Sequence, residues 1–294
     1  MQGRSEVNAG YRSENKPTSI LFLCLARDCV DTLPVFFSYL KRLCSYGLYC
    51  TAIIGENGSS DKTRLLIEEA AGFNIDLLDT TLMAREANRL TRMAKGRQAL
   101  LEAAEARRIT EDYICIADLD NAMTAPPDPL AIRAAIDRLH ADATLFAIGA
   151  TSFPVYYDLL SLRVEGRDYA NLNAEIAKVK KRPLSYFKFH QEHIYSNQRL
   201  ATSASPILCD SSFNGLCIYS ASDYRLGSYR ANNEAEVCEH VSFNLSIASA
   251  TGKKMLISPE LIIQAPADHI PVGFLRFWFD RVKERMPRLR IGRR

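Results

Sequence analysis

No apolar run in this chain reaches the roughly 18 residues that a membrane-crossing helix needs, so no transmembrane segment is expected. None of its eight cysteines (24, 29, 44, 50, 115, 209, 217 and 238) forms a C-x-x-C pair. That excludes a zinc ribbon or a thioredoxin-type motif. Cys24, Cys115 and Cys217 stand inside apolar runs, as reduced cysteines used as small hydrophobes do. The opening MQGRSEVNAGYRSENKPTS is polar and lacks the apolar stretch of a signal peptide. No G-x-G-x-x-G follows the first apolar run, which argues against a dinucleotide-dependent dehydrogenase, and no glycine-rich phosphate loop or internal repeat is present.

What is there is ordinary globular composition, 47% hydrophobic and 24% charged over 294 residues. One elaborated α/β domain over 18–272 is expected, preceded by a loosely attached segment, 1–17, and followed by a basic aromatic segment, 273–294. The net charge is +3, but the end of the chain, GFLRFWFDRVKERMPRLRIGRR, concentrates seven arginines and one lysine among five large apolar residues, Phe274, Leu275, Phe277, Trp278 and Phe279. This mixture suits the headgroup region of an anionic membrane, and equally a helix docking its aromatics on the core. Nucleic acid is not the expected partner, because the basic charge is confined to one end and no recognised motif accompanies it.

Hydrophobic patterning alternates strand and helix. Thr18 to Ala26, TSILFLCLA, is a continuous apolar run suited to a strand buried on both faces. A helix follows over Leu33 to Tyr46, then a strand, YCTAII, ending in the polar loop GENGSSD. Asp61 or Ser60 would cap the next helix, which stops at Gly72. A short strand over Phe73 to Leu78 precedes a long helical pattern from Arg85 to about Arg108. Tyr113 to Ala117, a helix near Leu130 to His140 and a strand over Thr144 to Gly149 complete a βαβαβαβαβ order. That order predicts a mostly parallel sheet with helices on both faces, and ligands beyond the carboxyl ends of its strands. The later half predicts strands at Tyr156 to Leu162, Phe213 to Tyr219, Met255 to Ile257 and Leu261 to Ile263, with helices at Ala170 to Lys181 and Val237 to Thr251.

The fourth strand runs into Asp118-Leu119-Asp120. Residues two apart on a strand share a face, so both carboxylates point one way and repel unless something positive lies between them. A divalent cation bridging to phosphate is the economical solution. A turn with cap aspartates ahead of Asn121 and Pro126-Pro127 is the plainer one.

Three features together resemble the GT-A nucleotide-sugar glycosyltransferases: a first strand ending in Ala26-Arg27-Asp28, the loop ENGSSDKT at Glu56 to Thr63, and Ala117-Asp118-Leu119-Asp120. The resemblance covers about Ile20 to Thr124 well and Phe213 to Ile263 more loosely. Within that family, ENGSSDKT followed by a run of arginines and then DLD is most similar to the capsule-associated α-1,3-mannosyltransferases and their bacterial relatives. The resemblance implies Mn2+ or Mg2+ as cofactor, with Asp120 a direct metal ligand and Asp118 on the ribose or sugar, or joined to the metal through water. It implies that Glu56 contacts the nucleoside, with Arg27 and Asp28 nearby.

Arg85, Arg89 and Arg92 fall at helical spacing on one face, and Arg97 lies elsewhere on the same pattern. A diphosphate or an acidic acceptor would offset that charge, and arginine grips phosphate in a planar, bidentate way; a solvated helix face would have the same sequence. Arg89 and Arg97 are the donor-binding candidates. The resemblance also implies an acidic general base at the start of the late helix, Glu239 with Glu236 as the alternative. His240 stands where that family usually has an aspartate, a departure that favours retention over inversion. It is itself a candidate base or contact. A late histidine as further metal ligand would be His269, or the pair His190 and His193; a surface histidine is the alternative. Asn214 is a candidate acceptor contact, or a turn residue.

The expectation is therefore a hexosyltransferase, using a GDP- or UDP-sugar, a metal and a carbohydrate or lipid-linked glycan acceptor in surface polysaccharide synthesis. It would be cytoplasmic and peripheral at the inner membrane face. The alternatives are a non-catalytic carbohydrate- or partner-binding domain on this scaffold, and a sugar-phosphate nucleotidyltransferase. The latter lacks support in ARDCVDTLP, which has no glycine-rich basic loop.

Overall fold

The structure, a computed structural model, describes residues 17–72, 74–169, 171–202, 205–229 and 237–285. Strands and helices alternate through the first half: β1 (Thr18–Ala26), α1 (Leu33–Cys44), β2 (Leu48–Glu56), α2 (Thr63–Ala70), β3 (Ile75–Asp79), α3 (Arg89–Ala106), β4 (Tyr113–Asp118), α4 (Pro129–Ala141) and β5 (Leu145–Phe153). A small hairpin, β6 (Arg163–Val164) and β7 (Arg167–Asp168), and two short helices, α5 (Leu172–Val179) and α6 (Pro183–Phe189), come next. Then follow β8 (Ile207–Cys209), β9 (Leu216–Ser220), α7 (Ala221–Tyr224), α8 (Glu239–Thr251), β10 (Lys254–Gln264) and α9 (Phe274–Arg285).

Eight strands form one sheet in the order β3-β2-β1-β4-β9-β5-β10-β8. β9 lies antiparallel between β4 and β5, and β8 pairs antiparallel with β10. The other pairings are parallel. This is the expected mostly parallel α/β architecture. The apolar runs of β1 and β4 are buried on both faces, and strand alternation sends their side chains to two separate cores. Ile20, Phe22, Cys24, Cys115 and Ala117 pack against α1 and α4 on one side. Leu21, Leu23, Ile114 and Ile116 pack with residues of α3 and α8 on the other. Asp118 continues the parity of Ile114 and Ile116 and so faces α3 and α8.

Three expected elements differ. The helix expected from Arg85 begins at Arg89, because Asn88 caps it by accepting the amides of Leu90 (2.8 Å) and Thr91 (3.1 Å). Arg85 therefore ends a separate 3-10 turn, Thr81–Arg85, and does not share a helix face with Arg89 and Arg92. Tyr156 to Leu162 is no strand but a loop with a 3-10 turn at Leu159–Ser161. Its buried Tyr156, Leu159 and Leu162 recur every third residue, the period of that turn, which the strand reading overlooked. The two late strands are one, β10, with a register irregularity between Ser258 and Ile262. Ser258 Oγ accepts the amides of Glu260 (3.2 Å) and Leu261 (3.3 Å), carrying the strand past Pro259, which has no N–H to give.

Candidate functional site

The parallel strands deliver their carboxyl ends to one edge, and antiparallel β9 begins there. At that edge a cavity of about 340 Å³ gathers Asp118 and Asp120 from β4, Arg89 and Arg97 from α3, Glu239 and His240 from the start of α8, and His269 from beyond β10. With His190, which follows α6, eight of the residues singled out in the sequence thus share one cavity.

Arg97 is the deepest of them, 1% exposed, on a helix held close to the sheet at Gly96. A Cβ at Gly96 would lie 2.8 Å from the tip of Met83 and 2.9 Å from Leu25, so any larger residue would force those side chains to move. Arg97 Nη2 donates to Asp118 Oδ1 at 2.6 Å, and the guanidinium lies over the Phe213 ring, 5.4 Å from its centroid. Burial raises the Asp118 carboxyl; Arg97 opposes this while Asp120, Asp158 and Glu239 add to it, and the group is pushed up to about 7. Asp120 is exposed to the cavity mouth, and its Oδ1 accepts the Ala122 amide at 3.0 Å. Leu119 between them turns into the opposite core, 1% exposed.

Glu239 and His240 open α8 and are almost wholly buried. The imidazole stacks flat on Phe213, 3.7 Å between centroids at 12°. Burial first, then Arg97, hold His240 well below its ordinary range, so it is neutral. Its Nε2 stands 3.6 Å from Glu239 Oε1, and its buried Nδ1 has no hydrogen-bond partner among the described residues. Burial raises Glu239, with Arg97 opposing. Glu236, the alternative base, lies outside the described residues.

The second-strand loop forms a neighbouring cluster. Glu56 is 1% exposed; its Oε1 accepts the Ser59 amide at 2.6 Å and its Oε2 pairs with Arg64 at 3.3 Å. Asp28 takes a positive φ and its Oδ1 accepts the amide (2.7 Å) and hydroxyl (3.0 Å) of Ser60. Asp61 reaches across to the Val30 amide at 3.2 Å as well as to Thr63. The β1 and β2 loops therefore brace each other. Arg27, half-exposed and 3.9 Å from Asp28, stands at their rim. The buried Asn57 Oδ1 has no partner among the described residues. None of Arg27, Asp28 and Glu56 lines the cavity of the two aspartates.

Asn214 is not on the cavity surface. It is fully buried, and its Oδ1 accepts the amides of Tyr157 (3.1 Å) and Asp158 (3.2 Å) while its Nδ2 donates to Ser152 Oγ at 2.9 Å. Its work is to hold the loop after β5, and the acceptor-contact reading gives way to that. Asn214→Ala strands two part-buried amides and places alanine at a φ of 53°, so a loss on the order of 3 kcal/mol in urea unfolding is expected. The loop so held delivers two residues that no motif announced, Tyr157 and Asp158, into the cavity. Asp158 is one carboxylate in YYDLL with no spacing signal; the turn fixed by the distant Asn214 makes it a site residue.

His269 packs at a tilt against Tyr157, 5.1 Å between centroids, and its Nε2 lies 3.8 Å from Asp268. His190 and His193 do not act as a pair. His190 lines the cavity, whereas His193 is exposed and packs on Phe189. Burial, with Arg281 adding repulsion, holds His190 down to about 4 from 6.5. The unfolded chain then takes the proton first, so this contribution is complete above about pH 6.5 and is lost as the pH falls toward 4, by up to about 3 kcal/mol. Melting temperature followed across that window should flatten in His190→Phe.

Among the described residues, no group of three His, Cys, Asp or Glu side chains could by itself hold a metal ion. The donor chemistry still fits a hard divalent cation, which commonly takes one or two carboxylates and completes its shell with water and phosphate. Asp118, Asp120, Asp158, Glu239 and Asp268 line the cavity against two arginines, an excess of negative charge that a cation would relieve. With Asp118 Oδ1 committed to Arg97, Asp120 could ligate such a cation directly, and His269 is one of three imidazoles, with His190 and His240, on the same cavity.

No protein-family model matches the chain, and no curated protein matches it. Solved structures with a similar arrangement include mannosyl-3-phosphoglycerate synthase from Rubrobacter xylanophilus, at 11% identity and a TM-score of 0.42, covering 84% of this chain and 65% of that one. Glucosyl-3-phosphoglycerate synthase from Mycobacterium tuberculosis, in complex with Mn2+, UDP and glucosyl-3-phosphoglycerate, aligns at 12% identity and a TM-score of 0.42, over 89% of this chain and 75% of that one. The same enzyme with phosphoglyceric acid aligns at 14% identity and a TM-score of 0.44, over 88% and 75%. The chain thus spans less than two thirds of the length of the first of these structures.

Proposed function

We propose that this chain is a metal-dependent glycosyltransferase that moves a hexose from a nucleoside diphosphate sugar to a carbohydrate hydroxyl. The observation that supports it best is the single cavity at the carboxyl edge of the sheet. There Asp118 and Asp120 face Arg97 and Arg89 on one side and the buried Glu239 on another. In this reading the nucleoside sits toward Glu56, Arg27 and Asp28, and the diphosphate lies between Asp120 and Arg89. Arg97 holds Asp118 in place to receive the ribose or the sugar. Mn2+ or Mg2+ on Asp120 and His269 would neutralise charge gathering on the leaving diphosphate. Glu239 takes the acceptor proton or orients the hydroxyl, and neutral His240, whose Nδ1 has no partner among the described residues, offers a second contact.

The finer reading is a GDP- or UDP-linked donor, mannose as the hexose, and a role in surface polysaccharide synthesis. It rests on the succession of ENGSSDKT, the arginines and DLD. His240, in place of a second carboxylate after Glu239, favours retention. The test is thermal shift with UDP-, GDP-, CMP- and dTDP-sugars, with and without Mn2+, followed by release of free nucleotide. One donor should stabilise the protein only with metal, by about 2.7 kcal/mol at a hundredfold excess over Kd, and be slowly hydrolysed. Metal-dependent binding without turnover under any acceptor would favour a non-catalytic binding domain. No stabilisation by any donor would sink the transferase reading.

A further inference from the structure

Helix α9 is docked along one face and bare along another. Phe277 is fully buried, with its ring 5.5 Å from Tyr186, 5.2 Å from Phe187 and 4.9 Å from His190. The Arg281 guanidinium lies 3.4 Å over the Phe277 ring and closes that side. Further round the helix, Leu275, Phe279 and Val282 are 83%, 64% and 51% exposed. Their i, i+4, i+7 spacing makes one stripe, with Phe274 at its start 40% exposed. Large apolar side chains aligned this way on an outer face call for a partner.

Charge indicates which partner. From residue 273 onward the sequence has seven arginines and one lysine against one aspartate and one glutamate. A second copy of this segment would set like charge against like. An anionic bilayer takes the stripe into its acyl boundary and the arginines into its headgroups, each basic residue adding to the attraction. No helix among the described residues is long and apolar enough to cross a membrane, so contact by this face would lie in the interfacial plane.

We propose that the outer face of α9 docks the protein on an anionic phospholipid surface. His190 both lines the cavity and meets Phe277 edge-on, so the docked helix stands one side chain from the cavity wall. If the transferase reading holds, this favours an acceptor carried on lipid. The docking itself does not depend on that reading, and either can fail without the other.

The experiment is co-sedimentation of the full chain with vesicles of phosphatidylcholine alone and of phosphatidylcholine with phosphatidylglycerol, at low and high salt. Wild type should pellet with the anionic vesicles and be released by salt. Leu275→Glu/Phe279→Glu, both at exposed positions, should keep the wild-type melting temperature and lose binding by more than about tenfold. Arg288→Gln/Arg290→Gln/Arg293→Gln should lose the dependence on phosphatidylglycerol. Equal pelleting with both vesicles, no pelleting, or glutamate variants that pellet like wild type would overturn the proposal. So would a wild-type dimer in sedimentation equilibrium that the glutamate variant breaks while vesicles bind neither protein; the stripe would then join two copies of the chain.

Discussion

Asp120→Asn should leave the protein folded and remove its metal-dependent response to donor, with turnover down by about a thousandfold. The substitution isolates the charge. Asparagine keeps an oxygen that accepts the Ala122 amide, the bond that caps the turn at Asn121–Thr124, so stability should stay within about 0.5 kcal/mol of wild type. Alanine would lose the cap and blur the result. Paired thermal-shift titrations, with Mn2+ alone and with Mn2+ plus nucleotide sugar, read the effect. A variant that still binds donor through metal as wild type does would remove Asp120 from the proposed site and return it to the role of a cap.

Arg97→Met should be the most destabilising change on the cavity wall. The guanidinium is buried, bonded to Asp118 at 2.6 Å and set over Phe213. Among the described residues its removal leaves Asp118, Asp120, Asp158 and Glu239 with no buried cation, and breaking such a pair from one side costs about 3–5 kcal/mol. Asp118→Asn added to Arg97→Met should recover about 1–2 kcal/mol, because the stranded charge is then gone. Urea unfolding of the four proteins in the cycle measures it. Additive effects would mean that the two side chains are not coupled, contrary to their geometry.

These two residues show how far the sequence could be read. The parity of β4 is local: Ile114, Ile116 and Asp118 share a face because strand side chains alternate, and Asp120 keeps that side because Leu119 is drawn into the opposite core. Arg97 was legible as a charged residue on a helical pattern, but nothing local says that it is buried. That depends on Gly96 letting α3 close onto Leu25 and Met83, over seventy positions apart in one case and thirteen in the other. Arg85 illustrates the opposite failure. Its spacing matched a helix face, and the Asn88 cap moved the helix start past it.

By itself the sequence determined the alternation of strands and helices, the mostly parallel sheet, and the strand ends at which Arg27, Glu56 and Asp118 emerge. Those follow from hydrophobic period and turn chemistry within a few residues. Which polar residues meet depended on long-range packing. It buried Asn214 as the clamp on the loop after β5, brought Asp158 and Tyr157 into the cavity, separated His190 from His193, and left one stripe of α9 uncovered while Phe277 was buried. Each of these depends on backbone amides, rings or charges far apart in the chain being brought within contact distance, and no local pattern in the sequence encodes that distance.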